Sequence, residues 1–237
     1  MSLSNQNAII TGASGALGQQ VVKEFLQHGV NVFAVARSKD KLDALQQQVR
    51  SLPGTMTPIS ADLTDSADVE RAWAQIRGKA QSVEMLINIA GGFAGGKMIP
   101  DTSVQEWDRM MNLNLRSVFV VSKLVMAQMR QQQKGKIITV SALAALDPKP
   151  KRAAYLVAKA GVIALTQALA AEGKEYNIQA NTIAPGIILT EANIQAMPEM
   201  DSSRWTTPQQ IAATMLFLCT PDADAITGSI IKMPGGL

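Results

Sequence analysis

The chain has 237 residues, of which 47% are hydrophobic, and a formal net charge of +3. This length allows one large buried core, and the small positive charge is spread without the aromatic interleaving of a nucleic-acid surface. His28 and Cys219 are the only histidine and the only cysteine, which excludes an internal disulfide, His-based triads and most transition-metal sites, so we expect no metal.

The start of the chain, Met1-Ser-Leu-Ser-Asn-Gln, has no signal-peptide pattern, and no stretch approaches the ~18 uninterrupted apolar residues of a membrane span. We therefore expect a cytoplasmic protein that has neither a membrane nor a nucleic acid as partner.

Short apolar runs alternate with amphipathic helical segments along most of the chain. Runs without polar alternation are typical of strands covered on both faces, and the helical spacers would supply the crossovers of a parallel sheet. The candidate strands are residues 8–11, 30–36, 56–60, 83–90, 136–141 and 178–184. The pattern predicts an α/β fold: one Rossmann-type domain over residues 1–237, doubly wound, with about seven parallel strands and helices on both faces.

A glycine-rich turn, Thr11-Gly-Ala-Ser-Gly-Ala-Leu-Gly18, joins the first strand to the helical pattern of residues 19–27. Glycines here would let the backbone approach a pyrophosphate, whose charge is stabilised by the N–H groups at a helix start. The structural alternative is a tight turn that needs small residues. The candidate phosphate-binding residues are Gly12, Ser14, Gly15, Ala16, Leu17 and Gly18.

The second strand ends at Ala36 and is followed by Arg37. NAD-binding domains carry an acidic residue here that accepts from the ribose 2′-hydroxyl, whereas an arginine could pair with a 2′-phosphate. The pattern favours NADP(H), with NAD(H) still possible. A solvated loop arginine is the alternative.

Tyr155 and Lys159 are four residues apart in a helical segment, so they share one face, one turn apart. A fixed ammonium near a phenol favours the phenolate and would lower the pKa of the tyrosine from about 10 towards neutrality. The pair is therefore a candidate proton-transfer group. Chance placement on a surface helix is the alternative.

Together these features resemble the short-chain dehydrogenases/reductases, over nearly the whole chain. Further motifs carry the resemblance in the same order along the sequence: Asp62-Leu63, Asn88-Ile-Ala-Gly91, Asn114, Pro185-Gly-Ile-Ile-Leu-Thr190, Thr227-Gly228 and Gly235-Gly236. The resemblance implies that the cofactor is contacted by Asp62, Leu63, Asn88, Ala90, Gly91, Pro185, Gly186, Ile188 and Thr190.

The resemblance also implies a reaction. Hydride would pass between the nicotinamide and a small carbonyl, imine or quinonoid substrate, and Tyr155 would act as the general acid/base. Lys159 would hold the nicotinamide ribose, and Asn114 would anchor a proton path through a water molecule. An asparagine that bonds only within its own helix is the alternative for Asn114.

One departure from the family bears on catalysis. Most members carry a serine thirteen residues before the tyrosine, and this chain has Ala142 there, with Ser141 one place earlier. Because a strand alternates its faces, Ser141 would point away from the site unless the strand has ended or bulged. Ser141 is therefore a doubtful fourth catalytic candidate.

With alanine at the usual serine position, this chain resembles the dihydropteridine reductases, a subgroup of the family that also has alanine there. Other shared segments are Gly15-Ala-Leu-Gly18, Ala90-Gly-Gly-Phe-Ala-Gly-Gly96, Ala144-Ala-Leu-Asp147, Met197-Pro-Glu and Ser-Arg-Trp205-Thr. That subgroup usually selects NADH with an acidic residue, from which Ala36-Arg37 departs. A dihydropteridine-reductase-like enzyme and a catalytically weak dinucleotide-binding regulator are the two alternatives to a carbonyl or quinone reductase.

Residues 186–207 are expected to form a short substrate lid. The candidate substrate contacts are Phe93, Ala142, Met197 and Trp205, although apolar residues here could equally be ordinary packing. The basic loop of residues 147–152 could attract an acidic substrate, but a solvated turn fixed by prolines is the favoured interpretation. Apolar residues on several sides of the helices at 107–132 and 153–174 predict a homodimer or homotetramer.

Overall fold

The computed structural model describes residues 3–236, so residues 1, 2 and 237 of the predicted domain lie outside the described residues. Seven parallel strands form one sheet in the order β3-β2-β1-β4-β5-β6-β7. The strands are β1 (Asn7–Thr11), β2 (Asn31–Ala36), β3 (Met56–Ser60), β4 (Met85–Asn88), β5 (Gly135–Val140), β6 (Ile178–Pro185) and β7 (Ile230–Met233).

Eight α-helices accompany the sheet within residues 3–236. They are α1 (Ala16–Gln27), α2 (Lys39–Val49), α3 (Ser66–Arg77), α4 (Val104–Met111), α5 (Ser117–Gln132), α6 (Ala153–Gly173), α7 (Glu191–Ala196) and α8 (Pro208–Leu218). A π-helical segment, Asn112–Arg116, joins α4 to α5. The predicted α/β class with its doubly wound parallel sheet is confirmed.

The six predicted strands are present, with ends that differ by at most two residues from those expected. No separate pattern predicts β7, whose four residues are half-buried or exposed at the sheet edge. An edge strand covered on few sides lacks the uniformly apolar run by which buried parallel strands are recognised.

Alternate residues of each strand enter opposite layers of the core, as the pleat requires. In β1, Ala8 and Ile10 pack with α1, α2 and α8, whereas Ile9 packs with α3 and α5. Together with the short turn after it, α6 forms one helical stretch, Ala153–Tyr176, that is long and apolar enough to cross a membrane. Half of its most apolar 18-residue segment is buried inside the protein. Its contacts with β6 are those of a core helix.

The sheet order reverses between β1 and β4, because the chain winds outwards from β1 through β2 to β3 and then returns to β4 on the other side. In doubly wound sheets, a crevice opens at the carboxyl ends of the strands at such a reversal. The glycine turn after β1 and the segment after β4 meet there, since the Thr11 hydroxyl accepts from the N–H groups of Ile89 and Ala90 at 3.1 and 3.2 Å.

Candidate active site

A cleft of about 1100 Å³ lies along the carboxyl ends of the strands. The end near β1 and β2 is lined by Gly12, Ser14, Gly15, Ala16, Leu17, Gly18, Arg37, Asp62 and Leu63. The other end is lined by Phe93, Ser141, Ala142, Leu143, Lys149, Arg152, Tyr155, Ile187, Met197 and Met200. The part between the two ends is lined by Ala90, Gly91, Lys159, Pro185, Gly186, Ile188 and Thr190. Most of the sequence-predicted site residues therefore share one cleft.

The glycine turn brings main chain, rather than side chain, to the cleft. Gly12 has a φ of +69°, and a Cβ there would lie 2.8 Å from the backbone nitrogen of Ala90. Gly15 begins α1 without a side-chain cap, and the first turn of α1 contains no acidic residue. The N–H groups of this turn are thus suited to an anion, which the helix dipole also favours.

Charge at this end of the cleft comes from Arg37, which is exposed, and from Asp62. The Asp62 carboxylate accepts from the backbone N–H and the hydroxyl of Thr64 at 2.9 and 2.7 Å. These hydrogen bonds, with a smaller contribution from Arg37, lower the pKa of Asp62. Asp62 therefore stays ionised, and the exposed Arg37 places a positive charge near it at the cleft surface.

Tyr155 and Lys159 line neighbouring parts of the cleft, from the first two turns of α6. The Lys159 ammonium is buried and donates to the carbonyl oxygen of Val140 at 2.8 Å. Burial lowers the pKa of Lys159 to about 8. It also raises the pKa of the Tyr155 phenol, and the cation that acts in the opposite direction is Arg152.

The sequence-based expectation that Lys159 lowers the pKa of Tyr155 is therefore not met in this structure. Desolvation disfavours the charged form of each group, and the smaller opposing effect on Tyr155 comes from Arg152 rather than from Lys159. In the protein described here, Tyr155 is a protonated phenol at neutral pH, ready to donate rather than to accept.

Asn114 lies in the π-helical segment, and such segments often occur at functional sites. Its side chain is fully buried: the Oδ1 atom accepts from the N–H of Gly92 at 3.0 Å, and the Nδ2 atom donates to the carbonyl of Met110 at 3.2 Å. A Cβ on Gly91 would lie 2.7 Å from Asn114 Oδ1 and 3.3 Å from Lys159 Nζ. The amide and the ammonium thus lie close to the same glycine, although Asn114 itself does not line the cleft.

Ser141 follows the last residue of β5 and borders the cleft, but its hydroxyl is occupied. The Oγ atom donates to the carbonyl oxygen of Lys159 at 2.7 Å, and the residue is 2% exposed. Ala142 has an extended backbone and supplies only a methyl group to the cleft wall. The hydroxyl thus fastens α6 to the end of β5.

Two other predicted residues do not line the cleft. The buried Asn88 donates from Nδ2 to the Ser122 hydroxyl at 3.1 Å, so its side chain links β4 to α5. Trp205 is 9% exposed and is not among the residues that line the cleft. The predicted direct contacts of Asn88 with cofactor and of Trp205 with substrate are not supported by these positions.

The expected lid contains α7, which Thr190 caps by accepting from the N–H of Asn193 at 3.2 Å. Asn193 on α7 and Met197 and Met200 just after it line the cleft. Asn193 was not predicted, since an isolated asparagine in a short polar helix carries no pattern. Ile188 pairs with Thr206, which closes the segment into a loop.

The basic loop before α6 is solvent-exposed, as expected of a solvated turn, apart from the half-buried Arg152, and it also borders the cleft. Lys149 lines the cleft and pairs with Asp147 at 2.8 Å. The Arg152 guanidinium lies 5.9 Å from the ring centroid of Phe93, and that ring meets the Tyr155 ring edge-on, 5.1 Å between centroids at 78°. A cation and an aromatic side chain therefore adjoin the candidate acid.

Comparisons with known proteins give a consistent result. The family model described as short chain dehydrogenase matches residues 6–201. The chain is 31% identical over 245 residues to the 3-oxoacyl-acyl-carrier-protein reductase FabG of Thermotoga maritima, covering 100% of this chain and 99% of the relative. It is 28% identical to the NAD-dependent glycerol dehydrogenase of Listeria innocua, covering 99% and 94%.

The solved structures agree with this result. A short chain dehydrogenase from Bacillus anthracis is 31% identical, with a TM-score of 0.88 over 98% of this chain and 96% of the other. The two curated relatives are named for different substrates at similar identity, so their names do not determine the substrate of this chain. Neither name supports the dihydropteridine-reductase interpretation.

Proposed function

Because the chain belongs to the short-chain dehydrogenase family and is thus an NAD(P)-dependent oxidoreductase, we propose that it is an NADP(H)-preferring reductase of a small carbonyl or quinonoid substrate. The observation that carries the proposal is the placement of Tyr155 and Lys159. Both line the cleft at the carboxyl ends of the strands, which Gly12, Gly15 and Gly18 of the glycine turn also line.

The residues at the β1–β2 end of the cleft fit a dinucleotide phosphate. Gly12 turns the backbone so that it can approach the phosphate closely, and the uncapped start of α1 offers N–H groups. Arg37 supports the preference for NADP(H), since the last residue of β2 before it is Ala36 rather than the acidic residue of NAD-binding domains. An arginine fork suits a 2′-phosphate, whereas a ribose hydroxyl needs an acceptor.

When bound, the reduced nicotinamide supplies the hydride. Tyr155 donates its proton to the substrate oxygen as the carbonyl carbon receives the hydride, which gives an alcohol and a phenolate. Lys159, held by Val140, stabilises that phenolate and holds the ribose of the cofactor. Asn114 keeps the backbone at Gly92 in place beside this pair and anchors the path by which Tyr155 regains its proton.

Ala142 limits which substrates react. A preorganised donor to the developing oxyanion is worth about 10²- to 10³-fold in rate, and this wall of the cleft offers a methyl group instead. Simple ketones should therefore be poor substrates. Quinonoid and α-dicarbonyl compounds, already activated towards hydride, should suffer less.

The test is an assay of NADPH oxidation by purified protein. The panel comprises α-dicarbonyls, quinones, quinonoid dihydropterin and a 3-oxoacyl thioester, the last because of the name of the Thermotoga relative. We expect turnover with an activated acceptor and its loss in Tyr155→Phe. NADPH binding without turnover of any panel member would instead support a dinucleotide-binding regulator.

Assembly and location complete the proposal. Trp107 on α4, Phe119 on α5 and Val157 on α6 are exposed large apolar side chains on neighbouring helices. Such a surface is best covered by a second copy of the chain, so we expect a homodimer or homotetramer. Sedimentation equilibrium of the purified protein would test this, and a monomer at all concentrations would contradict it. As a separate point, we propose that the protein is cytoplasmic.

A further inference from the structure

The Arg152 guanidinium has no carboxylate partner among residues 3–236. It takes part in none of the ion pairs of residues 3–236, and it lies over the face of the Phe93 ring. Charged side chains at a cleft wall are normally solvated or paired. Here the cation instead lies on an aromatic ring that itself touches the ring of Tyr155.

The charges around it make this end of the cleft cationic. Only Asp62 and Asp147 line the cleft as carboxylates within the described chain. Asp62 belongs to the β2–β3 side, and Asp147 pairs with Lys149. The positive charge of Arg152 is therefore uncompensated at the substrate end.

The remaining surface at this end is apolar. Leu143, Ile187 and Met197 line it, together with the exposed ring of Phe93. A ligand that fills it would place an apolar body against these side chains while a charged group reaches the cation. Tyr155 lines the same end of the cleft, and its ring meets Phe93 edge-on.

We propose that Arg152 binds a carboxylate of the substrate, so that the enzyme reduces carbonyl compounds that carry a carboxylate beside an apolar or aromatic body. A guanidinium fork matches a carboxylate in two parallel hydrogen bonds, which fix orientation as well as adding affinity. This rests on the proposed reductase function. It also offers a reason why Ala142 is tolerated, since an anchored substrate needs less help at its oxygen.

The experiment compares benzoylformate with methyl benzoylformate, two α-dicarbonyl probes that differ in one negative charge. Titration calorimetry measures the Kd of each for the complex with NADP⁺, and NADPH oxidation measures kcat and KM. Wild-type protein should bind the acid at least about tenfold more tightly than the ester. Arg152→Gln should remove that preference, and Arg152→Lys should restore part of it.

Lys151→Gln is the matched control, because it removes the same charge from the adjacent residue, whose exposed side chain does not line the cleft. It should change both affinities by less than about twofold, since exposed charges are screened. An unchanged Kd for NADP⁺ would show that each variant is folded.

Equal affinities for the two probes, no binding of the acid, or equal effects of the two Gln variants would overturn the inference. These outcomes are separate from those that test the reductase itself. Turnover of the ester without an acid preference would retain the reductase and reject the carboxylate site. Arg152-dependent binding of benzoylformate without turnover of either probe would retain the carboxylate site and reject the reductase.

Discussion

Replacing Ser141 with alanine should leave catalysis nearly intact. Its hydroxyl is buried and donates at 2.7 Å to the carbonyl of Lys159, an acceptor that lies inside α6 and also receives the helical N–H four residues on. The variant therefore leaves no unpaired buried group, and the loss of one hydrogen bond costs about 1 kcal/mol of the free energy of unfolding. The contact of Lys159 with Val140 remains, so turnover should fall by less than about tenfold.

The assay is the steady-state oxidation of NADPH with the best substrate of the panel, alongside urea unfolding to check stability. Tyr155→Phe, which removes the proton donor, should lose about 10²- to 10⁴-fold in kcat. Ala142→Ser provides the converse test, because it places a hydroxyl on the cleft wall and should raise kcat for cyclohexanone by about tenfold or more. A loss in Ser141→Ala as large as that in Tyr155→Phe would refute this reasoning and assign the Ser141 hydroxyl to the chemistry.

Three other predictions concern the cofactor and the buried lysine. Arg37→Gln should weaken NADPH binding about tenfold and leave NADH nearly unchanged in a fluorescence titration, and wild-type protein that binds NADH more tightly would contradict the assignment. Gly18→Ala should abolish cofactor binding or folding, because its Cβ would overlap the carbonyl oxygen of Gly12. In Gly15→Ala the Cβ would lie 3.4 Å from that oxygen and the φ is −78°, so its Kd for NADPH should stay within about threefold of that of the wild type. Burial lowers the pKa of Lys159 to about 8, whereas the same lysine in the unfolded chain has a pKa of 10.5. Between these pH values the unfolded chain binds more protons than the folded one, so the free energy of unfolding rises with pH there. Relative to Lys159→Met, wild-type protein should gain about 2 kcal/mol in the free energy of unfolding between pH 7.5 and 9.5, and parallel profiles in urea titrations would argue against a buried ammonium.

The sheet could be predicted because buried parallel strands are uniformly apolar and the chain repeats them at helix-sized intervals. Five of the six predicted strands have at least one end shifted, by one or two residues, while 56–60 matches β3 at both ends. The half-exposed β7 has no such run and was not located. The same limit explains Asn88: its motif pointed to the cofactor, but the buried hydrogen bond to Ser122 depends on where α5 packs, which no local pattern encodes.

The candidate acid shows most clearly where sequence reasoning ends. Spacing on a helix puts Tyr155 and Lys159 on one face, and the structure has both in the cleft, but spacing says nothing about how much water each retains. Burial is a property of everything packed around a group, and here it shifts the pKa values of both away from their charged forms. Arg152 also favours the phenolate, to a smaller extent than burial opposes it, and only the fold brings this residue of an exposed loop against Phe93. A residue outside the motif that identifies the family therefore contributes to the acidity of Tyr155, and substrates that neutralise Arg152 should make Tyr155 a weaker acid than neutral ones do.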